Sequence, residues 1–347
     1  MRRFGHFLWK YAFPIFVAGF VALYFYRKLS QPELWSTNLV PRLEWLIPSA
    51  LVYLIAYTVW GRYYVTLLRN QGAHVSTATG LRAYFISQMG KYVPGKVLVI
   101  VIRIGMLGNI GISRTAVGIT AMYESLVWAG SGALVGILLL PPSLWEGLRT
   151  ELRYRGGDLP DVNRYWLILP LAAAAIGLVG LNRFVNRVNR WRKGKHAAQL
   201  PRVKLHMVLI GLVYDSFGWL ILGASLLLVL RGLQLDGGPV TFDEYWNLAS
   251  IAGIAYVLGF AAFFMPAGVG VRDVALQLLL AVELKARLGP SESTAAIDGL
   301  AAMLAVMFRL IGTASELIMA GVMYRFAPAA ARAAVRAEVA AAESVNA

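Results

Sequence analysis

Long apolar stretches alternate with short polar segments along this chain, and the pattern predicts a bundle of membrane-spanning helices. Each stretch approaches the twenty or so residues that an α-helix needs to cross a bilayer. Continuous apolar runs exclude a β-barrel, whose strands would alternate apolar and polar positions. We predict an all-α, polytopic helical membrane protein with about seven spanning helices: Phe7–Tyr26, Trp45–Leu67, Thr115–Leu140, Tyr165–Leu181, Leu205–Leu230, Tyr245–Phe264 and Thr294–Tyr324.

Two segments interrupt this pattern with helix-breaking and charged residues. The first break, Ala78–Arg103, predicts two half-helices that enter and leave on one side, and the second break is Met265–Leu284. Because a bilayer cannot hydrate broken backbone or bare charges, each break must lie inside protein or beside an aqueous cavity. A faint parallel repeat relates them, since a span, a Pro/Gly break and a half-helix follow one another in both.

Composition agrees with a membrane protein. Only 15% of the 347 residues are charged and 58% are hydrophobic, whereas soluble domains carry about a quarter charged residues. The net charge of +15 is concentrated in the loop Asn182–Lys204, which holds eight basic residues and no acid. Contact with anionic lipids explains this loop better than nucleic acid, so we expect no nucleic-acid partner.

Basic residues also predict the orientation. With both breaks re-entrant, 17 Lys and Arg residues lie on the side of the N-terminus and 11 on the opposite side, which favours a cytoplasmic N-terminus. The first span lacks a small-residue cleavage site and is expected to remain in the protein. We divide the chain into a transmembrane domain, 1–327, and an alanine-rich charged tail, 328–347.

The first break has the features of an anion site. Pro94 suits the first turn of the outgoing half-helix and Gly95 permits close backbone approach, so free N–H groups would face a lipid phosphate. Lys96 adds charge, and Arg103, seven residues on, shares its helix face. The alternative is a structural kink whose lysines reach the interface. A P-loop is rejected because Val97 stands where Ser or Thr is needed. The candidate binding residues are Gln88, Lys91, Tyr92, Pro94, Gly95, Lys96 and Arg103.

The second break repeats the combination of helix breakers and charges. Its candidate binding residues are Pro266, Gly268, Gly270, Arg272 and Asp273. Asp273 could instead accept N–H groups at the start of the next helix, which is a capping role. Binding and capping both stay open.

Charged side chains also lie within the apolar spans: Glu124, Asp215, Asp298, Arg309 and Glu316. An ionised group at the bilayer centre costs about 2.5–3.5 kcal/mol on insertion scales, so each should face the interior of the bundle and be paired. The last three share one helix face. Two interpretations remain: an ion-pair network that holds helices together, and the polar path of a translocation cavity with a proton-linked carboxylate.

Nothing in the sequence predicts a catalytic group, a cofactor or a metal. There is no cysteine, the four histidines have no metal-ligand spacing, and no Ser/His/Asp grouping is visible.

The motifs of the two breaks resemble the flippase-like membrane family, which comprises the transmembrane region of lysylphosphatidylglycerol synthases and many stand-alone proteins. In the second break Ala267 replaces a glycine of the family's Pro-Gly-Gly-x-Gly-x-x-Glu motif, and Asp273 replaces its glutamate. The family's first pattern, Gln, then Tyr-x-Pro-Gly-Lys, then Arg and a membrane Glu, is matched by Gln88, Tyr92, Pro94, Gly95, Lys96, Arg103 and Glu124.

The resemblance implies a membrane domain with re-entrant helices that moves an anionic phospholipid or polyprenyl-linked envelope lipid between leaflets of a prokaryotic inner membrane. Envelope-lipid biosynthesis enzymes are the implied partners. The synthases add a soluble aminoacyltransferase domain; this chain ends at Ala347 after a short tail, so we expect a stand-alone member and no such activity. The alternatives are an integral-membrane lipid-modifying enzyme and a non-transporting partner of an envelope glycosyltransferase. The oligomeric state stays open.

Overall fold

The computed structural model describes residues 41–92, 97–154, 204–234, 241–262, 265–289 and 293–326, with single residues at 26, 30, 156, 187 and 191. The predicted spans Phe7–Tyr26 and Tyr165–Leu181 and the tail 328–347 lie outside these ranges, apart from Tyr26. So does the loop Asn182–Lys204, apart from Arg187, Trp191 and Lys204.

Helices make up all the regular structure in the ranges that are described, which confirms the all-α prediction. Two 3-10 turns interrupt the helices, Gln88–Tyr92 and Pro266–Gly268. The α-helices are α1 (Leu43–Asn70), α2 (Thr77–Ser87), α3 (Val97–Gly108), α4 (Arg114–Leu139), α5 (Pro142–Tyr154), α6 (Leu205–Gly232), α7 (Phe242–Ala261), α8 (Val271–Leu288) and α9 (Thr294–Arg325).

Four of these helices, α1, α4, α6 and α9, are long and apolar enough to cross a membrane. They coincide within a few residues with four predicted spans. The predicted span Tyr245–Phe264 corresponds to α7, which has 20 residues and begins earlier, with Asp243 and Glu244 in its first turn. Thr241 fixes that beginning, since its hydroxyl accepts from the Glu244 N–H while the Glu244 carboxylate accepts from the Thr241 N–H. This capped start places the beginning of α7 three residues before that of the predicted span.

The residues group into two compact units, and the division falls within α1, α4, α6 and α9. Of the described residues, the first-break unit comprises 57–92, 97–131, 204–218 and 316–326. In it, aromatic side chains of α1 pack against glycines of α6: a Cβ on Gly211 would lie 2.1 Å from the Tyr63 hydroxyl. Small residues of this kind let membrane helices approach closely.

Of the described residues, the second-break unit comprises 41–56, 132–154, 219–234, 241–262, 265–289 and 293–315. Here α4 and α7 approach through glycine as well, because a Cβ on Gly253 would lie 2.7 Å from the Gly132 carbonyl oxygen. The Ser250 hydroxyl donates to the Gly136 carbonyl at 2.7 Å. Between α1 and α6, the Ser49 hydroxyl donates to the Ser225 carbonyl at 2.8 Å.

Polar contacts join α7 to α8 at the far end of their hairpin. Asn247 donates to the Glu283 carboxylate at 3.1 Å, and Arg287 lies 3.3 Å from the Glu244 carboxylate. The second break is therefore held between two helices that are tied together at their other ends.

Candidate functional site

Two short helices, α2 and α3, occupy the first break, where the sequence predicts two half-helices. Helix α2 begins at Ser76, whose hydroxyl accepts from the Thr79 N–H at 3.1 Å, and the turn Gln88–Tyr92 follows its last residue. Gly90 lies against the first turn of α3, where a Cβ would be 2.5 Å from the Val99 nitrogen. Only glycine permits this approach without a shift of backbone. Pro94, Gly95 and Lys96, the predicted anion-binding residues, lie outside the described ranges.

Lys91 is held at this turn by a carboxylate and two aromatic rings. Its Nζ lies 2.6 Å from Glu316 of α9 and 3.0 Å from the Tyr57 hydroxyl. The Nζ also lies 5.1 Å from the centre of the Tyr57 ring and 5.5 Å from that of Tyr92. Tyr92 in turn donates to Glu316 at 3.0 Å. The Lys91 side chain keeps 16% of its surface exposed, whereas Glu316 keeps 2%.

Arg103 occupies a closed pocket in the same unit. Its Nη1 lies 2.8 Å from the Glu124 carboxylate and its Nε donates to the Ser87 hydroxyl at 2.8 Å. The guanidinium lies between the rings of Tyr64 and Tyr84, 4.5 and 4.6 Å from their centres. Tyr84 also hydrogen-bonds Glu124. With 1% of its surface exposed, Arg103 is fully enclosed by partners.

Asp215 corrects the expectation that every charged side chain of the spans is paired. The expectation holds for Glu124, Arg309 and Glu316, but neither carboxyl oxygen of Asp215 has a hydrogen-bond partner among the described residues. Asp215 is fully buried. The Trp60 indole reaches it through the backbone, donating to the Asp215 carbonyl at 3.1 Å.

The second break combines unusual backbone with a carboxylate cap. Ala267, Gly268 and Gly270 have φ of 49°, 67° and 89°, a region that favours glycine. A Cβ on Gly268 would lie 2.8 Å from the Gly259 carbonyl oxygen of α7. Asp273 accepts from the Gly270 N–H at 3.1 Å, so the capping role predicted for Asp273 is present.

The same Asp273 carboxylate is shared by two arginines. Arg309 of α9 donates to both of its oxygens, at 2.6 Å to Oδ1, and Arg272 Nε lies 3.5 Å from Oδ1. The Arg272 guanidinium stacks 4.6 Å from the centre of the Tyr256 ring. Asp273 therefore combines the predicted capping role with an ion pair to Arg309 on another helix, and a role in binding stays a prediction.

The remaining predicted residues have simpler surroundings. Gln88 and Pro266 are half-buried. Asp298 is buried at 7% exposure, and its backbone carbonyl accepts from the Gln277 amide at 3.3 Å. Among the described residues, no group of three or more His, Cys, Asp or Glu side chains could hold a metal ion.

Sequence reasoning missed the aromatic partners of the buried cations: Tyr57, Tyr64, Tyr84 and Tyr256. Each stands in an apolar run and reads as core. The signal that could have found them is the aromatic ring, whose face attracts a cation.

A helical chain with several apolar spans, interrupted helices and buried ion pairs defines a multi-pass membrane protein. The sequence pattern described as "Lysylphosphatidylglycerol synthase TM region" matches residues 11–312, and the chain belongs to this family of membrane proteins related to lipid handling. The comparison with curated proteins found no match.

Proposed function

We propose that the protein is a lipid translocator, with the polar headgroup of an anionic lipid engaged at the first break while the acyl chains stay in the bilayer. The observation that carries the proposal is the Lys91–Glu316 pair. It joins a cation on an interrupted helix to a carboxylate on a spanning helix, inside a protein whose surroundings are apolar. Charges are costly in such surroundings and mark substrate or ion paths when they occur.

Lys91 and Arg103 differ in exposure, and we assign them different roles for that reason. Lys91 keeps part of its surface exposed, so an arriving phosphate can compete with Glu316 for the ammonium group. Arg103 is enclosed by Glu124, Ser87 and two tyrosines. We assign the headgroup contact to Lys91 and a positioning role to Arg103, which holds α3 to α4.

Lys91 is paired with a carboxylate of the protein itself, and such a pair suits a transport site better than a permanent anion-binding site. Glu316 neutralises Lys91 when no lipid is bound, and Tyr92 and Lys91 both hold it in place. A bound phosphate would replace one charge-assisted bond with another, so binding remains reversible. Reversible binding is what release on the opposite side requires.

The cargo class follows from this chemistry. Anionic phospholipids and polyprenyl-linked envelope lipids both present a phosphate next to apolar chains, and both fit the proposal. We further propose a prokaryotic inner membrane, a cytoplasmic N-terminus, re-entrant breaks, anionic lipid at the loop Asn182–Lys204, and envelope-lipid biosynthesis enzymes as partners. The charge bias of the loops supports the orientation.

Reconstituted vesicles test the proposal directly. Protein is placed in liposomes with trace fluorescent phosphatidylglycerol or a fluorescent polyprenyl phosphate, and a membrane-impermeant quencher reports the fraction in the outer leaflet. We expect wild-type protein to accelerate transfer and Lys91→Gln to reduce the rate at least tenfold.

The matched control is Lys285→Gln, which makes the same chemical change at an exposed lysine of α8. It should transfer at the wild-type rate. Equal rates for Lys91→Gln and Lys285→Gln would remove the headgroup assignment, and wild-type vesicles no faster than empty ones with either lipid would remove the translocator.

A further inference from the structure

One buried carboxyl group of the first-break unit has no role in the headgroup site. Asp215 lies in the middle of α6, is fully buried, and both of its carboxyl oxygens lack a partner among the described residues. An ionised carboxylate in such a place would lose its hydration and gain nothing in return. The carboxyl group is therefore stable here only when it carries a proton.

Among the described residues, the surroundings of Asp215 offer no spare cation. The titratable groups that interact with it electrostatically are Glu124 on α4, Tyr63 on α1 and Tyr84 on α2, and none of them is positive. Arg103, the buried cation of this cluster, is engaged by Glu124. The carboxylate of Glu124 is thus paired with a cation, whereas that of Asp215 has no such partner among the described residues.

Other polar atoms of the unit are also without partners. The Tyr64 hydroxyl and the Thr120 hydroxyl are buried and have none in the described part of the chain. Tyr64 is one turn from Trp60, whose indole donates to the Asp215 carbonyl. Thr120 is one turn from Glu124. Each therefore lies on the helix face that carries a neighbour of Asp215. Groups that can exchange hydrogen bonds are therefore present on two further helices.

We propose that Asp215 is the proton-binding site through which the protein couples lipid movement to a pH gradient. This inference rests on the proposed function. In the buried environment described above, the Asp215 carboxyl holds one proton on an Oδ atom. When the unit opens to water on one side, the O–H bond breaks, the proton passes to water, and the hydrated carboxylate is left behind. The reverse uptake accompanies closure from the other side.

The first measurement concerns the proton itself and needs no transport. Infrared difference spectra of the purified protein between acid and alkaline pH, in H2O and in D2O, separate protonated carboxyl groups from carboxylates. At neutral pH we expect a protonated-carboxyl band in the wild type that is lost in Asp215→Asn. The band should persist in Asp243→Asn, the same change at an exposed position.

Asparagine resembles the neutral carboxyl group in shape, so Asp215→Asn should fold and keep the wild-type melting temperature. Spectra of the wild type and Asp215→Asn with the same protonated-carboxyl bands would overturn the inference. A fall in melting temperature of Asp215→Asn without loss of a band would overturn it as well, because it would show an ionised, paired aspartate.

The second measurement uses the same vesicles with an imposed pH gradient. For one proton per lipid, a gradient of one unit should shift the steady-state ratio of labelled lipid between leaflets by about tenfold. Asp215→Asn should still equilibrate lipid but show no shift. A wild type that transfers lipid with no response to the gradient would overturn the coupling and leave the translocator intact. A wild type that transfers nothing would overturn the translocator and with it the coupling, while the infrared band would still report the proton.

Discussion

The two breaks use the same components with opposite charge. At the first, a cation on the 3-10 turn, Lys91, meets the carboxylate Glu316 of α9. At the second, the carboxylate Asp273 lies in the first turn of α8, and α9 supplies the cation Arg309. In both, a glycine lies against the neighbouring backbone and an arginine stacks on tyrosine.

The two breaks differ in the structural role of their carboxylates, Asp273 and Glu316. Asp273 caps α8 and serves two arginines, so its role is bound up with the start of the helix. Glu316 contacts side chains of a short turn and ends no helix. A change at Lys91 can therefore leave the helices in place, whereas a change at Asp273 also disturbs the start of α8. This is why we assign exchangeable binding to the first break and anchoring to the second.

The largest expected loss of stability is at the ion pair between Arg103 and Glu124, the most buried pair of the two breaks. Glu124→Gln keeps a hydrogen-bond acceptor for Arg103 but removes the charge that compensates a guanidinium with 1% exposure. We expect a loss of about 3–5 kcal/mol in the free energy of unfolding in detergent, since a buried charge is left uncompensated. Chemical unfolding monitored by tryptophan fluorescence measures it.

The double variant Arg103→Gln/Glu124→Gln is the internal control, because it removes both charges. It should be more stable than either single variant, and strictly additive losses would contradict the assignment of a coupled pair. Glu146→Gln, at an exposed carboxylate, should change stability little.

A smaller effect is expected at the second break. Asp273→Asn retains an oxygen that can accept from the Gly270 N–H, so the cap survives. The loss is the charge shared with the arginines, and Arg309 is less enclosed than Arg103 because its side chain keeps 21% of its surface exposed. We expect a loss of about 1.5–3 kcal/mol in the same unfolding assay. A loss equal to that of Glu124→Gln would contradict the ranking of the two pairs.

The positions of the helices were predictable because they depend on local sequence. Long apolar runs give α1, α4, α6 and α9 within a few residues of the predicted spans, and proline and glycine mark both breaks. The capping role of Asp273 is local too, because its carboxylate reaches an N–H three residues away.

The partners of the charges were not predictable, because pairing is set by tertiary packing. The sequence places Arg309 on one face of its own helix with Asp298 and Glu316. In the structure its partner among the described residues is Asp273, on another helix. Lys91 and Glu316 are 225 residues apart, and no periodicity joins such positions. Asp215 was expected to be paired because it is a charged residue within an apolar span, and only the packing shows that its carboxyl oxygens have no partner in the described part of the chain.

The smallest expected effect concerns the glycine that closes the first break. In Gly90→Ala the new Cβ would lie 2.5 Å from the Val99 nitrogen and 2.7 Å from the Leu98 carbonyl carbon. These are backbone atoms, which cannot rotate away as a side chain can, so the turn must move off α3. We expect a loss of about 1–3 kcal/mol in the free energy of unfolding, as for other overpacked sites.

The control is Gly321→Ala in α9, where a Cβ would meet nothing within 4 Å, and its stability should stay at or slightly above that of the wild type. Because Lys91 follows Gly90 directly, a turn displaced from α3 also carries the ammonium group away from Glu316. Gly90→Ala should therefore slow lipid transfer although it changes no charge. A destabilised Gly90→Ala protein that transfers lipid at the wild-type rate would show that the turn can move without disturbing the headgroup site. The contrast between exchangeable binding at the first break and anchoring at the second would then no longer depend on the position of this turn.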